Sequence, residues 1–537
     1  MIPKVHSFIL SGIDAALCEI EIDLDDTQLQ KETVVGLPDA AVRESLERVR
    51  SAMGNSGYPM PRGRTLINLA PANVRKEGPA YDLPIAVGVL IAQVVIQQRQ
   101  PDGAGSGSGS GLNTTNSEAW LGGAGESTEE LFGLDPRSVL IAGELALDGR
   151  VRPIRGVIAM TALAKSLGFD AVIVPDVNAH EAAVVDGVRV FGVSSLAQVV
   201  GLFNGGLELE PVPPINVSAM LESSSATVDF GEIKGQESVK RALVIAAAGQ
   251  HNIVMLGPAG TGKTMMAKAL PGILPPLTPE EAIEVTRIYS SAGQLEAGSG
   301  LVKSRPVRMP HHTASSPAIV GGGIVPRAGE ISLAHHGVLF LDELPEFPRS
   351  VLETMRQPLE DRVVTIARAQ GTVQFPASFM LVAAMNPTPR GDVAPGEVGQ
   401  REMDRYLSKI SGPLMDRIDL HVEAPAVSWS ELSKKATGTT TAQMAQQVLD
   451  ARSMMHARQG TTVNAVLRGK ELDEMMSLSE PARMLLEQAM TQLGLSARGY
   501  DKVRRVSRTI ADISGCEQVL PEHIGEAVQY RLLDRRM

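Results

Sequence analysis

The chain contains 537 residues, of which 43% are hydrophobic, 21% are charged and only 3% are aromatic, and its formal net charge at pH 7 is −11. This length predicts roughly three or four domains with ordinary buried cores, and the acidic balance excludes a uniformly basic nucleic-acid surface while leaving room for a local basic channel. Only Cys18 and Cys516 are cysteines, and the sequence shows neither a secretory signal nor a long apolar run, so we expect a cytoplasmic protein without disulfides or a membrane-spanning helix.

Residues 1–205 predict alternating strands and helices. The apolar spacing predicts an amphipathic helix from Ala40 to Met53, a strand over Thr65–Ala70 and an apolar helix from Leu83 to Ile96. Residues 101–135 interrupt this pattern with a Gly- and Ser-rich stretch. That composition predicts a flexible surface loop that connects the flanking elements rather than docking a partner.

Three further regions follow in chain order. Prolines and serines predict a linker over residues 206–226, and a nucleotide-binding domain follows over 227–426. A second polar linker is predicted over 427–441. The apolar spacing beyond it, in residues 442–537, predicts a helical C-terminal domain.

A glycine-rich loop follows the apolar run 252–256 and leads into a predicted helix. It has the full G-x-x-x-x-G-K-[ST] spacing of a nucleotide-phosphate cradle, and its residues are Gly257, Pro258, Ala259, Gly260, Thr261, Gly262, Lys263 and Thr264. Such glycines let several backbone N–H groups point at one anion, beside the positive end of the helix dipole. We expect Lys263 to reach the β- and γ-phosphates and Thr264 to bind Mg²⁺. The complete motif in this context makes a chance glycine-rich turn improbable.

Two acids, Asp342 and Glu343, end a second apolar run, Val338–Leu341. Four apolar residues in a row predict a buried parallel strand, and ligands bind at the carboxyl ends of such strands. Asp342 is therefore predicted to hold Mg²⁺ and Glu343 to polarise the attacking water. Solvated acids at a strand end are the alternative, which the upstream loop makes improbable.

Two further residues occupy positions that suit phosphate chemistry. Asn386 ends the apolar run Leu381–Met385, where its amide could contact a γ-phosphate or simply mark an Asn-Pro turn. Arg417 follows a short predicted helix, where it could act as an arginine finger on a neighbouring subunit or form a surface salt bridge. Spacing alone leaves both choices open.

Together these segments resemble AAA+ ATPases, and more specifically the magnesium-chelatase-like branch known as the YifB/ComM family. The segments that carry the resemblance are Gly235-Gln236, the phosphate loop, the sequences GVLFLDELPEF, AAMNP and SGPLMDRID, and the stretches 36–44, 305–313, 321–323, 326–337 and 496–512. Only residues 101–135 fall outside it. The family implies a homohexameric ring with ATP bound between subunits. Its ComM members are ATP-driven helicases that promote DNA branch migration during natural transformation.

The resemblance also implies roles for single residues. Lys263 and Thr264 correspond to the phosphate-loop ligands, and Asp342 and Glu343 to the Mg²⁺ and water pair. Asn386 corresponds to sensor one and Arg417 to the finger. Arg498 corresponds to the sensor-two arginine, with three neighbouring alternatives: Arg504, Arg505 and Arg508.

The N-terminal region resembles the Lon-type protease domain. Glu77-Gly78-Pro79-Ala80 parallels that domain's nucleophile loop, and the stretch from Gly143 to Ile158 parallels its lysine segment. Serine peptidase chemistry needs a hydroxyl and a base. Because Ala80 and Ile158 occupy those two positions, we expect a non-catalytic structural or binding module and no protease activity.

Two histidine pairs and one missing cysteine motif bear on whether the chain binds a transition metal. Many relatives carry a cysteine cluster after the Asn-Pro pair that suggests a metal site, and this chain has none there. The pairs His311-His312 and His335-His336 lack supporting thiolates, and adjacent histidines cannot easily share one metal. Loop or interface packing is therefore favoured over zinc binding.

The DNA-handling element is predicted from strand alternation. Residues 363–375 read as a hairpin with a glycine-containing turn, and in related helicases a hairpin just before sensor one projects into the pore. Arg368 near its tip could grip phosphate. The segment Lys303–Arg308 is the second candidate, and a solvated hairpin without a ligand is the alternative.

The expected fold is α/β and multidomain, with a Lon-like N-terminal domain, an AAA+ parallel-sheet core and a C-terminal helical lid. Three functions are compatible with this architecture. A DNA motor for recombination in natural transformation, bound to single-stranded or branched DNA, is favoured. The alternative is a chelatase-type ATPase that remodels a partner protein. The complete set of nucleotide residues argues against a non-enzymatic scaffold.

Overall fold

The computed structural model describes residues 2–25, 27–96, 134–221, 226, 228–323, 326–368, 371–388, 401, 403, 405–427 and 438–531. Residues 101–133 of the predicted Gly/Ser-rich loop lie outside the described ranges. The chain divides into two compact units. The first comprises Met1–Asn216 with Gly293–Leu301, and the second comprises Val217–Ala292 with Val302–Met537.

The first unit alternates strands and helices, as its sequence predicts. Its strands are β1 Lys4–Ser11, β2 Asp14–Asp25, β3 Lys31–Val35, β4 Arg64–Ala70, β5 Val139–Ile141, β6 Glu144–Leu145, β7 Val151–Arg152, β8 Ala171–Pro175 and β9 Arg189–Val193. Its helices are α1 Ala40–Asn55, α2 Asp82–Ala92, α3 Val157–Leu167, α4 Ala179–Ala182 and α5 Leu196–Phe203.

Seven of these strands form one mixed sheet in the order β3-β4-β2-β1-β5-β8-β9. Strands β1, β2 and β4 pair antiparallel, whereas β5, β8 and β9 extend the sheet in parallel. Buried side chains cover both faces, with α1 and α2 on one face and α3 and α4 on the other. The sheet can therefore bury apolar residues on alternate positions of every central strand.

Helix α1 confirms the predicted amphipathic helix, and its first turn is capped by the side chain of Asp39. The carboxylate of Asp39 accepts a hydrogen bond from the backbone N–H of Val42 at 2.7 Å, which satisfies one of the free donors of the first turn. The predicted helix Leu83–Ile96 is shorter than expected. It ends at Ala92 because Val94 adopts a φ of 62°, a backbone conformation that no α-helix contains.

The second unit contains the predicted nucleotide-binding region and the C-terminal helices. Its strands are β10 Ile253–Leu256, β11 Val307–Arg308, β12 Gly321–Gly322, β13 Arg327–Ala328, β14 Val338–Leu341, β15 Val363–Arg368, β16 Gly371–Pro376, β17 Met380–Met385 and β18 Leu420–Glu423. Its helices are α6 Val217–Met220, α7 Glu237–Gly249, α8 Lys263–Ala269, α9 Pro279–Ala292, α10 Ser316–Val320, α11 Glu330–Leu333, α12 Arg349–Thr354, α13 Arg356–Asp361, α14 Gly412–Met415, α15 Thr441–Gln459, α16 Gly469–Met475, α17 Glu480–Leu493, α18 Ala497–Ile513 and α19 Pro521–Gln529.

A five-stranded parallel sheet organises this unit, in the order β11-β14-β17-β10-β18. All residues of β10, β14 and β17 are buried, as expected for central strands that helices cover on both faces. Because all five strands run in one direction, the carboxyl ends of the strands lie at one edge of the sheet and the amino ends at the other.

The C-terminal helices share a core with this sheet. One cluster of buried side chains joins α7 and β10 to α15, α17, α18 and α19. The region predicted as a lid, residues 442–537, thus lies within the second compact unit. Within the described ranges, none of the helices combines the length and the hydropathy needed to span a lipid bilayer.

A buried ion pair joins α1 and α2 in the first unit and yields a stability prediction. Asp82 is fully buried and accepts hydrogen bonds from Arg48 Nε at 2.7 Å and from the Leu145 N–H at 3.2 Å. Asp82→Ala removes the carboxylate partner of the guanidinium and the acceptor of the Leu145 N–H, and leaves Arg48 with only Ser45 and the Ala41 carbonyl as acceptors among the described residues. We expect a loss of about 3 kcal/mol of unfolding free energy, measured by urea unfolding and by hydrogen exchange of the α2 amides.

The matched control is the exposed pair Asp148–Arg150 of the same unit, whose side chains are 54% and 75% exposed. Asp148→Ala should leave the unfolding free energy nearly unchanged, because solvent screens an exposed pair. Equal effects of the two substitutions would contradict the stabilising role of the buried pair.

Candidate functional site

The glycine-rich loop joins the carboxyl end of β10 to α8, as the motif predicts. Gly257 packs so closely that an added Cβ would lie 2.1 Å from the carbonyl oxygen of Ala424. Gly262, which precedes α8, has a φ of 85°. Both positions therefore require glycine, the first for space and the second for its backbone conformation.

Lys263 is folded into the loop that it is predicted to serve. Its ammonium group donates hydrogen bonds to the carbonyls of Gly257 at 2.7 Å and Pro258 at 2.8 Å and to Asn386 Oδ1 at 3.1 Å. Burial lowers the pKa of Lys263, while the nearby carboxylate of Asp342 opposes this shift. Phosphate oxygens of a bound nucleotide can replace the carbonyl acceptors, so the charge is placed for an anion.

The two predicted Mg²⁺ ligands meet across the same edge of the sheet. Thr264 Oγ1 donates to Asp342 Oδ2 at 2.7 Å. A hydroxyl and a carboxylate are the hard oxygen ligands that Mg²⁺ prefers, and Mg²⁺ usually keeps further positions for water and phosphate. These two side chains therefore fit a magnesium ion held with a nucleotide.

Glu343 directly follows the Mg²⁺ carboxylate but turns away from it. Its φ of 51° is a left-handed backbone conformation, and its N–H donates to Asp342 Oδ1 at 3.0 Å. Its side chain remains 49% exposed. The turn thus separates the carboxylate predicted to bind Mg²⁺ from a second carboxylate that is about half exposed.

One neighbour of the Glu343 carboxylate has no signal in the sequence. His312 Nδ1 lies 3.3 Å from Glu343 Oε2. The histidine belongs to the segment that follows β11, and β11 pairs with β14. The adjacent His-His pair was visible in the sequence, but nothing in its spacing pointed to Glu343.

Arg417 and Arg498 lie at the opposite edge of the sheet from the phosphate loop. Leu420 of β18 pairs with Ile253 at the amino end of β10, and the side chain of Asn252 donates to the carbonyl oxygen of Arg417 at 3.2 Å. Since four residues of strand span about 13 Å, the structure does not bring either arginine to the phosphate loop of the same chain.

These two arginines share an acidic partner, Glu360, which no sequence pattern indicates. The guanidinium of Arg417 donates to Glu360 and, at 2.7 Å, to the carbonyl oxygen of Pro413. Arg498 lies 3.9 Å from the other oxygen of Glu360. Glu360 lies in the last turn of α13, and no motif signalled its position.

Both arginines line one cleft that is rich in charged side chains. Its six cationic side chains are those of Arg362, Arg417, Arg468, Arg498, Lys502 and Arg505, and its four carboxylates are those of Glu360, Asp416, Asp419 and Asp501. Burial lowers the pKa of Lys502 to about 7, while Asp419 opposes the shift. The excess of cations suits an anionic ligand.

The structure separates the four arginines considered for sensor two. Arg508 is fully buried and bonded to Asp512 at 3.0 Å. Arg504 donates to Asp473 at 2.6 Å. Arg498 and Arg505 line the cleft, and Arg498 is the more exposed, at 60%. Arg508 and Arg504 therefore have structural partners, whereas Arg498 can reach a ligand.

The second histidine pair forms a hydrogen-bonded cluster with Glu284 of α9. His335 Nε2 and His336 Nε2 lie 3.1 Å and 2.9 Å from the same carboxylate oxygen. His335 Nδ1 accepts a hydrogen bond from the Ser378 N–H, so the neutral ring carries its hydrogen on Nε2 and offers no lone pair there to a metal. Hydrogen bonds from His335 and His336 lower the pKa of Glu284 to about 2.

The predicted hairpin is confirmed as β15 and β16, which pair in antiparallel register from Val363 and Pro376 to Arg368 and Gly371. Arg368 is exposed, and its guanidinium has no hydrogen-bonding partner among the described residues. In the competing segment, Arg305 donates to Glu281 at 2.7 Å and Arg308 to Glu330 at 2.6 Å. Arg368 is therefore the better placed of these arginines to bind an external phosphate.

In the first unit, the positions that parallel a protease dyad carry no reactive groups. Ala80 lies in the short turn Pro79–Tyr81 before α2. Ile158 is fully buried in the first turn of α3, where its N–H donates to Glu181 at 2.9 Å.

Comparison with known proteins matches family descriptions along most of the chain. Residues 229–432 match "Magnesium chelatase, subunit ChlI", residues 438–531 its C-terminal region, and residues 20–104 and 126–178 "Subunit ChlI of Mg-chelatase".

Individual relatives are similar over nearly full length. The chain is 41% identical over 535 residues to the competence protein ComM of Haemophilus influenzae, covering 99% of this chain and 97% of the relative. It is 38% identical to the uncharacterized protein YifB of Escherichia coli, with the same coverage. The magnesium-chelatase subunit ChlI of Chlorella vulgaris is 22% identical over 59% of this chain and 92% of its own length.

The separation of phosphate binding from water activation yields a prediction. Lys263→Ala should abolish nucleotide binding, because the buried ammonium is the charge that faces the phosphates. Glu343→Gln should still bind ATP but hydrolyse it at least about 100-fold more slowly. Binding of a fluorescent ATP analogue and phosphate release measure the two steps separately, and normal hydrolysis by the Glu343 variant would show that another group activates the water.

Proposed function

The chain belongs to the YifB/ComM family of magnesium-chelatase-like AAA+ proteins, and on that premise we propose that it is an ATP-dependent, homohexameric DNA motor of the helicase or branch-migration type. We place its action in DNA recombination during natural transformation. ATP and Mg²⁺ are its cofactors, and single-stranded or branched DNA is its substrate.

The observation that carries this proposal is the division of the nucleotide site between the two edges of the parallel sheet. Lys263, Thr264 and Asp342 meet at the carboxyl edge, while Arg417 lies at the amino edge in a cationic cleft. Among the described residues, one chain therefore supplies the candidate phosphate cradle and metal ligands, whereas its two candidate arginines, Arg417 and Arg498, lie away from them. In a ring, the amino edge of the sheet in one subunit can face the carboxyl edge of the sheet in the next subunit. Such an arrangement would complete the nucleotide site with an arginine from the neighbour.

In this ring Arg417 acts as the finger and Arg498 as sensor two on a neighbour's nucleotide. The γ-phosphate competes with Glu360 for both guanidinium groups, because each arginine already faces that carboxylate. Asn386, which contacts Lys263, acts within the subunit that binds the phosphates. Hydrolysis thereby depends on the contact between subunits.

The DNA assignment draws on two independent supports. The word "competence" in the name of the Haemophilus influenzae relative denotes DNA uptake, and the exposed Arg368 on a paired hairpin provides a cation without an internal partner among the described residues. The first unit, with Ala80 and Ile158 at the dyad positions, serves as a non-catalytic structural or binding module.

The cross-subunit role of Arg417 can be tested by mixing inactive variants. Arg417→Ala should bind ATP without hydrolysing it, and Lys263→Ala should not bind ATP. In mixed rings some interfaces combine an intact Lys263 with an intact Arg417, so ATPase activity should return. The control mixes Lys263→Ala with the double variant Lys263→Ala/Arg417→Ala, in which no interface is complete. No recovery in rings shown to be mixed would place Arg417 outside the γ-phosphate site.

The hairpin assignment predicts a loss of DNA response. Arg368→Ala should reduce DNA-stimulated ATPase and branch movement, with the rate in the absence of DNA as the internal reference. Removal of one phosphate contact should lower the slope of log affinity against log salt by about one. Arg483→Ala, an exposed arginine on α17, is the matched control. If Arg368→Ala moves branched DNA at the normal rate, the contact lies elsewhere.

One assay decides between the motor and the chelatase-type alternative. ATPase rates are measured alone and with single-stranded, duplex and four-way-junction DNA. The motor predicts stimulation by at least one form of DNA. A rate that no DNA changes would favour a partner protein as the substrate.

A further inference from the structure

Glu360 contacts both arginines that are assigned to the nucleotide of a neighbouring subunit. One of its carboxylate oxygens accepts a hydrogen bond from Arg417, and the other lies 3.9 Å from the guanidinium of Arg498. Its backbone carbonyl accepts a further hydrogen bond from Arg468. Carboxylate and phosphate offer guanidinium groups the same kind of acceptor, a pair of anionic oxygens. Glu360 thus takes the place that an anionic ligand of these arginines would occupy.

The cleft around Glu360 contains hydrogen-bond donors that its own carboxylates do not satisfy. The Nε atoms of Arg417 and Arg505 are buried and have no acceptor within the described part of the chain. The lining also has six cationic side chains against four carboxylates. An anion that enters the cleft therefore finds free donors, but to reach Arg417 and Arg498 together it has to displace the carboxylate of Glu360.

The backbone that carries Arg417 is anchored from behind. The side chain of Asn252 donates to the carbonyl oxygen of Arg417 at 3.2 Å, and Lys502 Nζ donates to the carbonyl oxygen of the next residue, Ile418, at 3.0 Å. Glu360, by contrast, lies in a helix of six residues and its side chain is 40% exposed. The carboxylate is therefore the less constrained partner of this ion pair.

Helix α13 leads directly into the hairpin of β15 and β16. Glu360 lies three residues before Val363, the first residue of β15. Between them, Arg362 closes the base of the hairpin: its carbonyl oxygen accepts a hydrogen bond from the Ala377 N–H at 2.8 Å, and its guanidinium donates to Ser378 Oγ at 2.8 Å. Arg362 also lines the cleft. The hairpin base and the carboxylate of Glu360 are therefore parts of one short, continuous segment.

We propose that Glu360 is a positioning residue that occupies Arg417 and Arg498 until the γ-phosphate of a neighbour displaces it, and that DNA on the adjoining hairpin draws its carboxylate away from both arginines. DNA bound by one subunit thereby favours ATP hydrolysis in the subunit that its arginines serve. The inference rests on the proposed function, because it takes a neighbour's nucleotide as the ligand of the arginines and DNA as the ligand of the hairpin.

The first test compares ATP with ADP, because only ATP carries the γ-phosphate that competes with Glu360. In the full-length protein without DNA, Glu360→Gln should raise kcat/KM for ATP about two- to fivefold, the range that one partly exposed ion pair gives. The inhibition constant of ADP should stay the same. A merely structural role would change both constants or lower kcat/KM, and either result would overturn the proposal, as would an unchanged kcat/KM.

The variant should fold, because solvent screens the ion pairs of a carboxylate that is 40% exposed, and a melting temperature verifies this. The matched control is Glu526→Gln. It removes another glutamate that pairs with an arginine, Arg241, at 2.9 Å in the same unit but outside the cleft. This control should leave kcat/KM for ATP unchanged.

A binding experiment tests whether Glu360 acts through the two arginines. Affinity for a fluorescent ATP analogue is measured in Arg417→Ala/Arg498→Ala, with and without Glu360→Gln. The added substitution should have no effect there, because the guanidinium groups that it frees are absent. Tighter binding in that background would show that Glu360 opposes ATP by another route and would contradict the positioning role.

The link to the hairpin is tested by the factor by which DNA raises kcat/KM for ATP. This factor should fall in Glu360→Gln, because the arginines are already free, and an unchanged factor would refute the link. If DNA does not stimulate the wild type, the proposed DNA function fails, and the comparison of ATP with ADP still decides the role of Glu360. Loss of hydrolysis in Arg417→Ala together with unaltered kinetics in Glu360→Gln would leave the proposed function standing and overturn this inference alone.

Discussion

The common direction of five strands is the constraint on which the functional site depends. Because β10, β14 and β17 run in parallel, the residues that follow them meet at one edge, and three different parts of the sequence build the candidate phosphate and metal site. The same direction sends the residues that precede β10 and β18 to the other edge. The phosphate loop and the cleft that holds Arg417 are therefore separate in one chain, as the two half-sites of the proposed ring require.

Charge compensation keeps these half-sites folded in the absence of ligand. Lys263 is satisfied by loop carbonyls and Asn386, and Arg417 by Glu360 and a carbonyl. Each of these partners occupies a cation that a phosphate oxygen would bind. Nucleotide binding would therefore replace these internal hydrogen bonds with bonds to phosphate oxygens. In the empty protein the internal partners keep these cations from being left unpaired, which would be destabilising.

Segments inserted around the nucleotide core pack against the candidate site. The stretch after β11 places His312 beside Glu343 and then forms β12, which lies beside β15 and Arg368. One short, continuous segment thus contacts both Glu343 and the hairpin. The cluster of Glu284, His335 and His336 anchors the turn before β14 to α9, so the strand that carries Asp342 is fixed at its start.

The sequence by itself determined the local features: the buried strands β10, β14 and β17, the phosphate loop, the acids Asp342 and Glu343, and the β15–β16 hairpin. These features depend on runs of apolar residues and on short motifs, because the backbone geometry of neighbouring residues fixes which side chains share a face or a turn. The end of α2 at Ala92 escaped this reasoning, because the apolar run continues past a residue with positive φ. Only the tertiary structure decided that Glu360 pairs with Arg417, that His312 faces Glu343 and that Arg508 is a core residue bonded to Asp512. Those contacts join residues far apart in sequence or depend on burial, and pairing across such distances is set by how whole elements pack, which no local pattern encodes.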